Sequence, residues 1–246
     1  MNLLIDIGNT SCKIARYDAL QRLSLQRVSS NSDIMELAGG NYDTIVLSSV
    51  RDADPELNAF LKGHCSRFID FNLEWVRKSL AEGNAALKCL DNMPEGMGAD
   101  RMAAILMACT MMPDEDIILF DFGTAITIEF ISRSRYEGGV ISLGLTTRYR
   151  ALSDYTRKIP VLDPHDILSR GDINTLSTVG YDLDTALAAG NILGIKFEIE
   201  GYLRTHPRRK VIFAGGDAQI FAAGISAEKV VDPNLVLGGL SHIALA

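Results

Sequence analysis

Apolar and polar positions fall into short, regular patterns along the chain. Leu3-Leu4-Ile5 is an unbroken apolar run that reads as a buried strand. It is closed by Asp6-Ile7-Gly8-Asn9-Thr10 and followed by a second strand through Lys13-Ile14-Ala15-Arg16-Tyr17. Residues 44–48 form another short buried strand, and 55–62 and 73–80 read as short helices. Residues 84–98, with Pro94 and several glycines, read as irregular. The clearest helix is 99–112, where Met102, Ile105, Leu106 and Cys109 fall at i, i+3, i+4, i+7 on one face and Pro113 stops it. Beyond it come a strand at 117–120, a turn at Asp121-Phe122-Gly123-Thr124 and a strand at 126–131. Residues 142–159 read mostly as helix, 163–178 as a polar loop and 184–204 as a long helix. Ala186, Gly190 and Gly194 recur every four positions on that helix, a spacing that predicts close approach by another backbone. A strand at 211–214 runs into Gly215-Gly216-Asp217, and 235–245 reads as a closing helix.

One pattern occurs twice. Matching residues 3–15 with 118–130 sets Asp6 on Asp121 and Gly8 on Gly123; each copy reads apolar triplet, Asp, apolar, Gly, small polar residue, strand. The repeat predicts two similar α/β halves, 1–114 and 115–246.

Composition narrows the function. The chain is 47% hydrophobic and 22% charged, which is ordinary for a globular protein, and its net charge of −7 argues against a dedicated nucleic-acid or anionic-membrane binder. No apolar run approaches the ~20 residues of a membrane span. Asp6 interrupts the first apolar stretch, so the start does not read as a signal peptide. Cys12, Cys65, Cys89 and Cys109 lack metal-ligand spacing and read as reduced thiols of a cytoplasmic protein.

An Asp at the end of a buried strand is costly unless it is paired or near a cation. Two such Asp residues in equivalent places, facing one another across a cleft, would concentrate negative charge that calls for Mg²⁺, and Mg²⁺ brings a nucleotide phosphate. Gly8 and Gly123 let the turns approach phosphate without a Cβ, and Asn9, Thr10 and Thr124 offer amides and hydroxyls to phosphate oxygens, with Lys13 just beyond. Asp-x-Gly is also a common hairpin turn, so either motif alone fits a plain hairpin. No G-x-x-x-x-G-K-[ST] is present, and Gly96-Met97-Gly98-Ala99-Asp100-Arg101 does not complete a dinucleotide fingerprint. Asp100, at the head of the clearest helix, reads either as a charge favourable to the helix dipole or as a carboxylate that receives a substrate proton, with Arg101 for an anionic substrate. Gly215-Gly216-Asp217 reads either as a strand-to-helix turn or as a place where an adenine or ribose lies against backbone. The basic run 204–210 reads as a solvated helix end.

Asp6 to Thr10 with Lys13, Gly98-Ala99-Asp100-Arg101, Asp121 to Thr127, Gly138-Gly139-x-Ile141-x-x-Gly144 and Gly215-Gly216-Asp217 occur in an order that resembles the type III pantothenate kinases, over essentially the whole chain. The resemblance implies a duplicated ribonuclease-H-like fold of the actin-like ATPase kind, two halves around a nucleotide cleft, assembled as a homodimer. It implies ATP-dependent phosphorylation of pantothenate, the first step of coenzyme A synthesis, with Mg²⁺ and a monovalent cation, K⁺ or NH4⁺. Asp6, Ile7, Gly8, Asn9, Thr10, Ser11, Cys12 and Lys13 would form the ATP phosphate loop, with Asp6 meeting Mg²⁺ through the phosphates and Thr124 contacting ATP. Gly98, Ala99, Asp100 and Arg101 would bind pantothenate, with Asp100 as proton acceptor, and Asp121 would hold the monovalent cation.

The chain departs from the family at four places. Leu143 stands where Pro is usual, Asp91 where a Tyr lines the pantothenate site, Leu183 where a Thr contacts pantothenate, and Ala214 where a Thr is common before Gly215. Thr185 is two positions out of register with Leu183. These departures keep two alternatives open: a related kinase for another small hydroxyl compound, and a catalytically weak regulatory protein of the same fold.

Overall fold

The computed structural model describes residues 1–169 and 171–246, so Arg170, inside the expected 163–178 loop, lies outside the described residues. The chain divides into two compact units. Unit 1 comprises 1–114, 133–136 and 234–246; unit 2 comprises 115–132 and 137–233. The expected halves, 1–114 and 115–246, share the division at Asp114/Glu115, but 133–136 and 234–246 group with the N-terminal unit.

Unit 1 opens with β1 (Asn2–Ile7), β2 (Cys12–Asp18) and β3 (Gln21–Val28), continues through α1 (Asn31–Leu37), β4 (Tyr42–Ser49), α2 (Pro55–Gly63), β5 (Cys65–Asp70) and α3 (Leu73–Ala81), and reaches α4 (Ala99–Met111). Its sheet has the order β3-β2-β1-β4-β5, with β1 antiparallel to β2 and parallel to β4. Leu3, Ile5, Ile7, Ile14, Ile45 and Leu47 alternate inward and meet Ile34, Leu57 and Leu61 from α1 and α2. The helices begin at side-chain caps. Ser30 and Asp33 form a reciprocal capping box on α1, and Asp54 caps α2 ahead of Pro55. The sequence reading missed β3 because it is a polar strand at the sheet edge, with no buried face to impose alternation.

Unit 2 contains β6 (Asp116–Phe122), β7 (Ala125–Ser132), β8 (Arg135–Leu143), α5 (Leu145–Tyr155), α6 (Pro164–Ser169), α7 (Leu183–Leu187), a π-helical stretch (Ala188–Ile192), α8 (Leu193–Thr205), β9 (Lys210–Gly215), α9 (Ala218–Gly224) and β10 (Val230–Asp232). Its sheet runs β10-β9-β6-β7-β8, which is the order of unit 1 repeated: β6 is antiparallel to β7 and parallel to β9, as β1 is to β2 and β4. The duplication expected from the two Asp-Gly segments is therefore one of topology. The ungapped match slips by one residue after the turn, however. Asp6 faces Lys13 across its hairpin, whereas Asp121 faces Thr127, not the Ile128 that a fixed offset assigns. The second turn is one residue tighter, and with a side-chain period of two the slip decides which face each residue takes.

The stretch expected as helix over 142–159 is in fact the end of strand β8 followed by α5, because Gly144 starts a new element. Residues 84–98 contain a 3₁₀ turn at Ala85–Leu90, and the 163–178 loop contains α6 and a 3₁₀ turn at Ile173–Thr175. The basic run is not wholly solvated: Arg209 donates to the carbonyls of Ile117 and Ile131 at 3.1 and 2.9 Å and pairs with Glu137.

The last helix, α10 (Leu235–Leu245), belongs to unit 1 and packs along α4. A Cβ on Gly239 would lie 2.0 Å from the Ala103 carbonyl oxygen, so the two backbones touch there. That is where helix backbones approach. A Cβ at Gly190 would meet nothing within 4 Å, and one at Gly194 would meet only the Arg148 guanidinium, at 3.4 Å. No helix among the described residues is long and apolar enough to cross a membrane.

Candidate active site

In unit 1 the first Asp-Gly turn is built by the β1–β2 hairpin. The Gly8 N–H donates to Ser11 O at 3.1 Å and closes it. Ile7 and Cys12 are buried in the core, so they can offer only backbone to a ligand, while Asn9, Thr10 and Ser11 are exposed. Burial pushes the Cys12 thiol above its ordinary pKa, which leaves it an inert thiol. Asp6 faces Lys13 on one side in the ladder and Ser48 on the other. The fully buried Ser48 hydroxyl donates to Asp6 Oδ1 at 3.4 Å.

Sequence reading missed Ser48, and it also missed Arg51. Arg51 Nε donates to Gly8 O at 2.9 Å and its NH2 to Asn9 O at 3.2 Å. A guanidinium thus takes up two carbonyl oxygens of the turn, removing negative partial charge from a loop proposed to meet phosphate. No local signal marks it, since Arg51 lies more than forty residues further along the chain.

The Gly98-Ala99-Asp100-Arg101 segment forms the head of α4, with Gly98 as N-cap and no side-chain cap there. Instead Asp100 Oδ1 accepts the Arg101 N–H at 2.8 Å, placing its carboxylate over the positive end of the helix. A Cβ on Gly98 would lie 2.6 Å from that Oδ1, so glycine clears the space that the carboxylate uses. Ala99 is buried. Arg101 NH2 donates to the Tyr136 hydroxyl at 3.1 Å, and Asn92 Nδ2 donates to Tyr136 O at 2.7 Å. Tyr136 therefore ties the Asn92 segment to the head of α4, a role that sequence reading did not assign. Asp91 ends the 3₁₀ turn and pairs with Lys88 at 2.5 Å.

In unit 2 the second Asp-Gly turn closes through the Gly123 N–H to Ala125 O at 3.1 Å. The Thr124 carbonyl accepts both the Gly144 N–H at 3.0 Å and the Thr147 hydroxyl at 2.6 Å, which fixes the start of α5 on the turn. Leu143, just before it, is half exposed. Asp121 lies beside Ala214 in the parallel ladder. A Cβ on Gly215, whose φ is +88°, would fall 2.4 Å from Asp121 Oδ1 and 2.4 Å from Phe122 O. The absent side chain leaves a small oxygen-edged cradle. Leu183 is the exposed first residue of α7, and the Thr185 hydroxyl beside it is committed to the Asp182 capping box.

Among the described residues no group of three His, Cys, Asp or Glu side chains could hold a metal ion by itself.

Two sheets of one order, each with an Asp-Gly hairpin at the end of its first strand, give the chain a duplicated α/β fold that it shares with sugar kinases. A candidate 2-dehydro-3-deoxygalactonokinase from Sinorhizobium meliloti shares this fold with a TM-score of 0.56 at 12% identity, over 99% of this chain and 98% of that one. A Campylobacter jejuni protein described as a candidate Baf family transcriptional activator superposes with a TM-score of 0.63 at 25% identity, over 98% of this chain and 96% of that one. The type III pantothenate kinase family model matches residues 2–205. A type III pantothenate kinase of Bacteroides fragilis is 32% identical over 99% of this chain and 97% of its own length, and one of Porphyromonas gingivalis is 30% identical over 98% and 97%. The chain belongs to the type III pantothenate kinase family. It is a kinase, and its reaction is the phosphorylation of pantothenate in coenzyme A biosynthesis.

Proposed function

We propose that this chain transfers the γ-phosphoryl group of ATP to the pantothenate hydroxyl, giving 4'-phosphopantothenate, with Asp6, Asp100 and Asp121 in three separate roles. The observation that carries the assignment is Asp100 at the head of α4, with Gly98 clearing the space for its carboxylate. A carboxylate at a helix start lies favourably against the positive end of the helix dipole. A loose phosphoryl-transfer transition state asks more for an oriented hydroxyl than for a deprotonated one, and a fixed carboxylate supplies that orientation. Arg101, held by Tyr136, faces the pantothenate carboxylate.

The Asp6–Lys13 loop takes the ATP phosphates through backbone N–H groups and the hydroxyls of Thr10 and Ser11, with Arg51 on its carbonyl side. Bound with ATP, Mg²⁺ neutralises charge on the phosphate oxygens, and Asp6, steadied by Ser48, is the carboxylate nearest that role. Asp121 and the Phe122 carbonyl, around Gly215, form the place for K⁺ or NH4⁺. Thr124 sits in the second turn to contact ATP. The homodimer is carried over from the family resemblance, with the exposed Tyr155, Val161, Val179 and Tyr181 of unit 2 as candidates for its surface. Four free cysteines fit a reducing cytoplasm.

A second reading is that the chain also takes another small hydroxyl compound as acceptor. It is favoured by Asp91, which is engaged by Lys88 where the family has Tyr, and by Thr185, whose hydroxyl is spent in a helix cap. ATP turnover with Mg²⁺ and K⁺, with and without pantothenate, separates the two. Pantothenate-stimulated ADP release that Asp100→Asn abolishes supports the assignment; turnover only with a different hydroxyl compound overturns it.

A further inference from the structure

His165, on α6, stands between two carboxylates of unit 2. Its Nδ1 lies 2.9 Å from Asp163 Oδ1 and its Nε2 2.9 Å from Asp217 Oδ1. The same Asp163 oxygen accepts the His165 backbone N–H at 2.9 Å, which sets the ring at the head of the helix. A neutral imidazole has one N–H and one lone pair, so it donates to one carboxylate and turns its lone pair on the other; an imidazolium donates to both. The Asp217 contact is the largest cause raising the proton affinity of His165 above the ordinary histidine value; burial opposes it and Asp163 adds to it. Arg150 on α5 acts on Asp163. The π-helical stretch against α6, and α9 behind Asp217, carry no charged side chain.

Asp217 is not a bystander in its turn. Its N–H donates to Phe122 O at 3.3 Å, and its own carbonyl receives the N–H groups of Ile220 and Phe221 at 3.1 and 3.3 Å. Two residues earlier, Gly215 packs against Asp121. A hold on the Asp217 side chain is therefore a hold on the Gly215-Gly216-Asp217 turn and on the start of α9.

We propose that His165, as an imidazolium shared by Asp163 and Asp217, is a positioning residue for ATP binding: it clamps the head of α6 to the Gly215-Gly216-Asp217 turn and lets go when it loses its proton. The proposal rests on the ATP reading of the site and, of the two readings the sequence opens for this turn, on the one in which an adenine or ribose lies against its backbone. The sign follows from the raised proton affinity. The clamp is fully formed below the ordinary histidine pKa of 6.5 and is lost as pH rises through the higher value in the folded protein.

The test joins nitrogen-detected NMR of the His165 ring to the KM for ATP between about pH 6 and about pH 9. In the wild type both ring nitrogens should carry protons at neutral pH, and the KM for ATP should rise roughly threefold to fivefold across the ring's titration, the scale of a partly exposed charged contact. In His165→Gln the KM should be high and flat with pH. In Asp163→Asn, which keeps the Asp217 contact, both the ring titration and the KM rise should move to lower pH. Addition of a non-hydrolysable ATP analogue should shift the Gly215 and Gly216 amides. If those amides move but the wild-type KM is flat, or follows the His165→Gln profile, the clamp is overturned and the nucleotide reading stands. If the amides do not move, both fall together.

Discussion

Gly215 lacks a Cβ where Asp121 Oδ1 and the Phe122 carbonyl oxygen come within 2.4 Å of the position it would occupy. Its φ of +88° adds a backbone reason for glycine. Gly215→Ala should cost about 1–2 kcal/mol from the backbone alone, with the clash in addition. It should also displace Asp121 and raise the K⁺ concentration needed for half-maximal activity. Urea unfolding and a K⁺ titration measure the two effects; a variant with wild-type midpoint and wild-type K⁺ dependence would show that the cradle is not used.

Arg51 joins the first Asp-Gly turn from outside it, through the carbonyls of Gly8 and Asn9. Arg51→Ala should raise the KM for ATP roughly threefold to tenfold, in line with the loss of charged hydrogen bonds at a partly exposed site. Arg51→Lys should recover only part of this, because an ammonium cannot reproduce the two-point fork. Steady-state kinetics at saturating pantothenate decide it, and an unchanged KM in Arg51→Ala removes the residue from the nucleotide site.

Asp100→Asn should lower kcat by about 10²-fold or more, the usual scale for a positioned acid–base group, with little change in the KM for ATP. Gly98→Ala places a methyl 2.6 Å from the Asp100 carboxylate oxygen and should imitate part of that loss without changing any charge. Should Gly98→Ala keep full kcat, the carboxylate does not act from its present place.

The acid limb of stability should come partly from helix caps. Backbone and side-chain hydrogen bonds hold the Asp54 and Asp182 carboxyls below the ordinary value of 3.8. A depressed folded-state pKa gives stability that is complete above the unfolded value and lost as pH falls through the folded one. Thermal melts from about pH 5 down to about pH 2 should show a steeper loss in the wild type than in Asp54→Asn, because Asn still caps the helix but does not titrate. Parallel acid limbs in the two proteins would count against this account.

The elements that carry a strong period, or a long apolar run, were legible in the sequence. The buried strands β1, β6 and β9, the helices α4 and α10, and both Asp-Gly turns fall where the pattern places them. Edge strand β3, the short helix α6 and the start of β8 were not, since their residues meet no continuous buried face; α9 buries Ala218, Phe221 and Gly224 but at seven residues is too short to show a period. The same division runs through the candidate site. Asp6, Asp100 and Asp121 announce themselves by motif. Ser48, Arg51, Tyr136 and His165 act on partners 35 to 52 residues away in sequence, so only the fold brings them together. The repeat itself was read one residue out of step after the turn, because hairpin length is set in space and leaves no mark in an ungapped match.

Because α10 lies in unit 1 and touches α4 at Gly239, the order of synthesis and the order of completion run opposite ways. The ribosome delivers β1 first, yet the N-terminal unit lacks its last helix until residues 234–246 have emerged. By then all of the second unit, through Pro233, is already available to fold. During translation the part of α4 that α10 covers waits uncovered. A premature stop after Pro233 would therefore harm the unit that began first and leave every residue of the other in place.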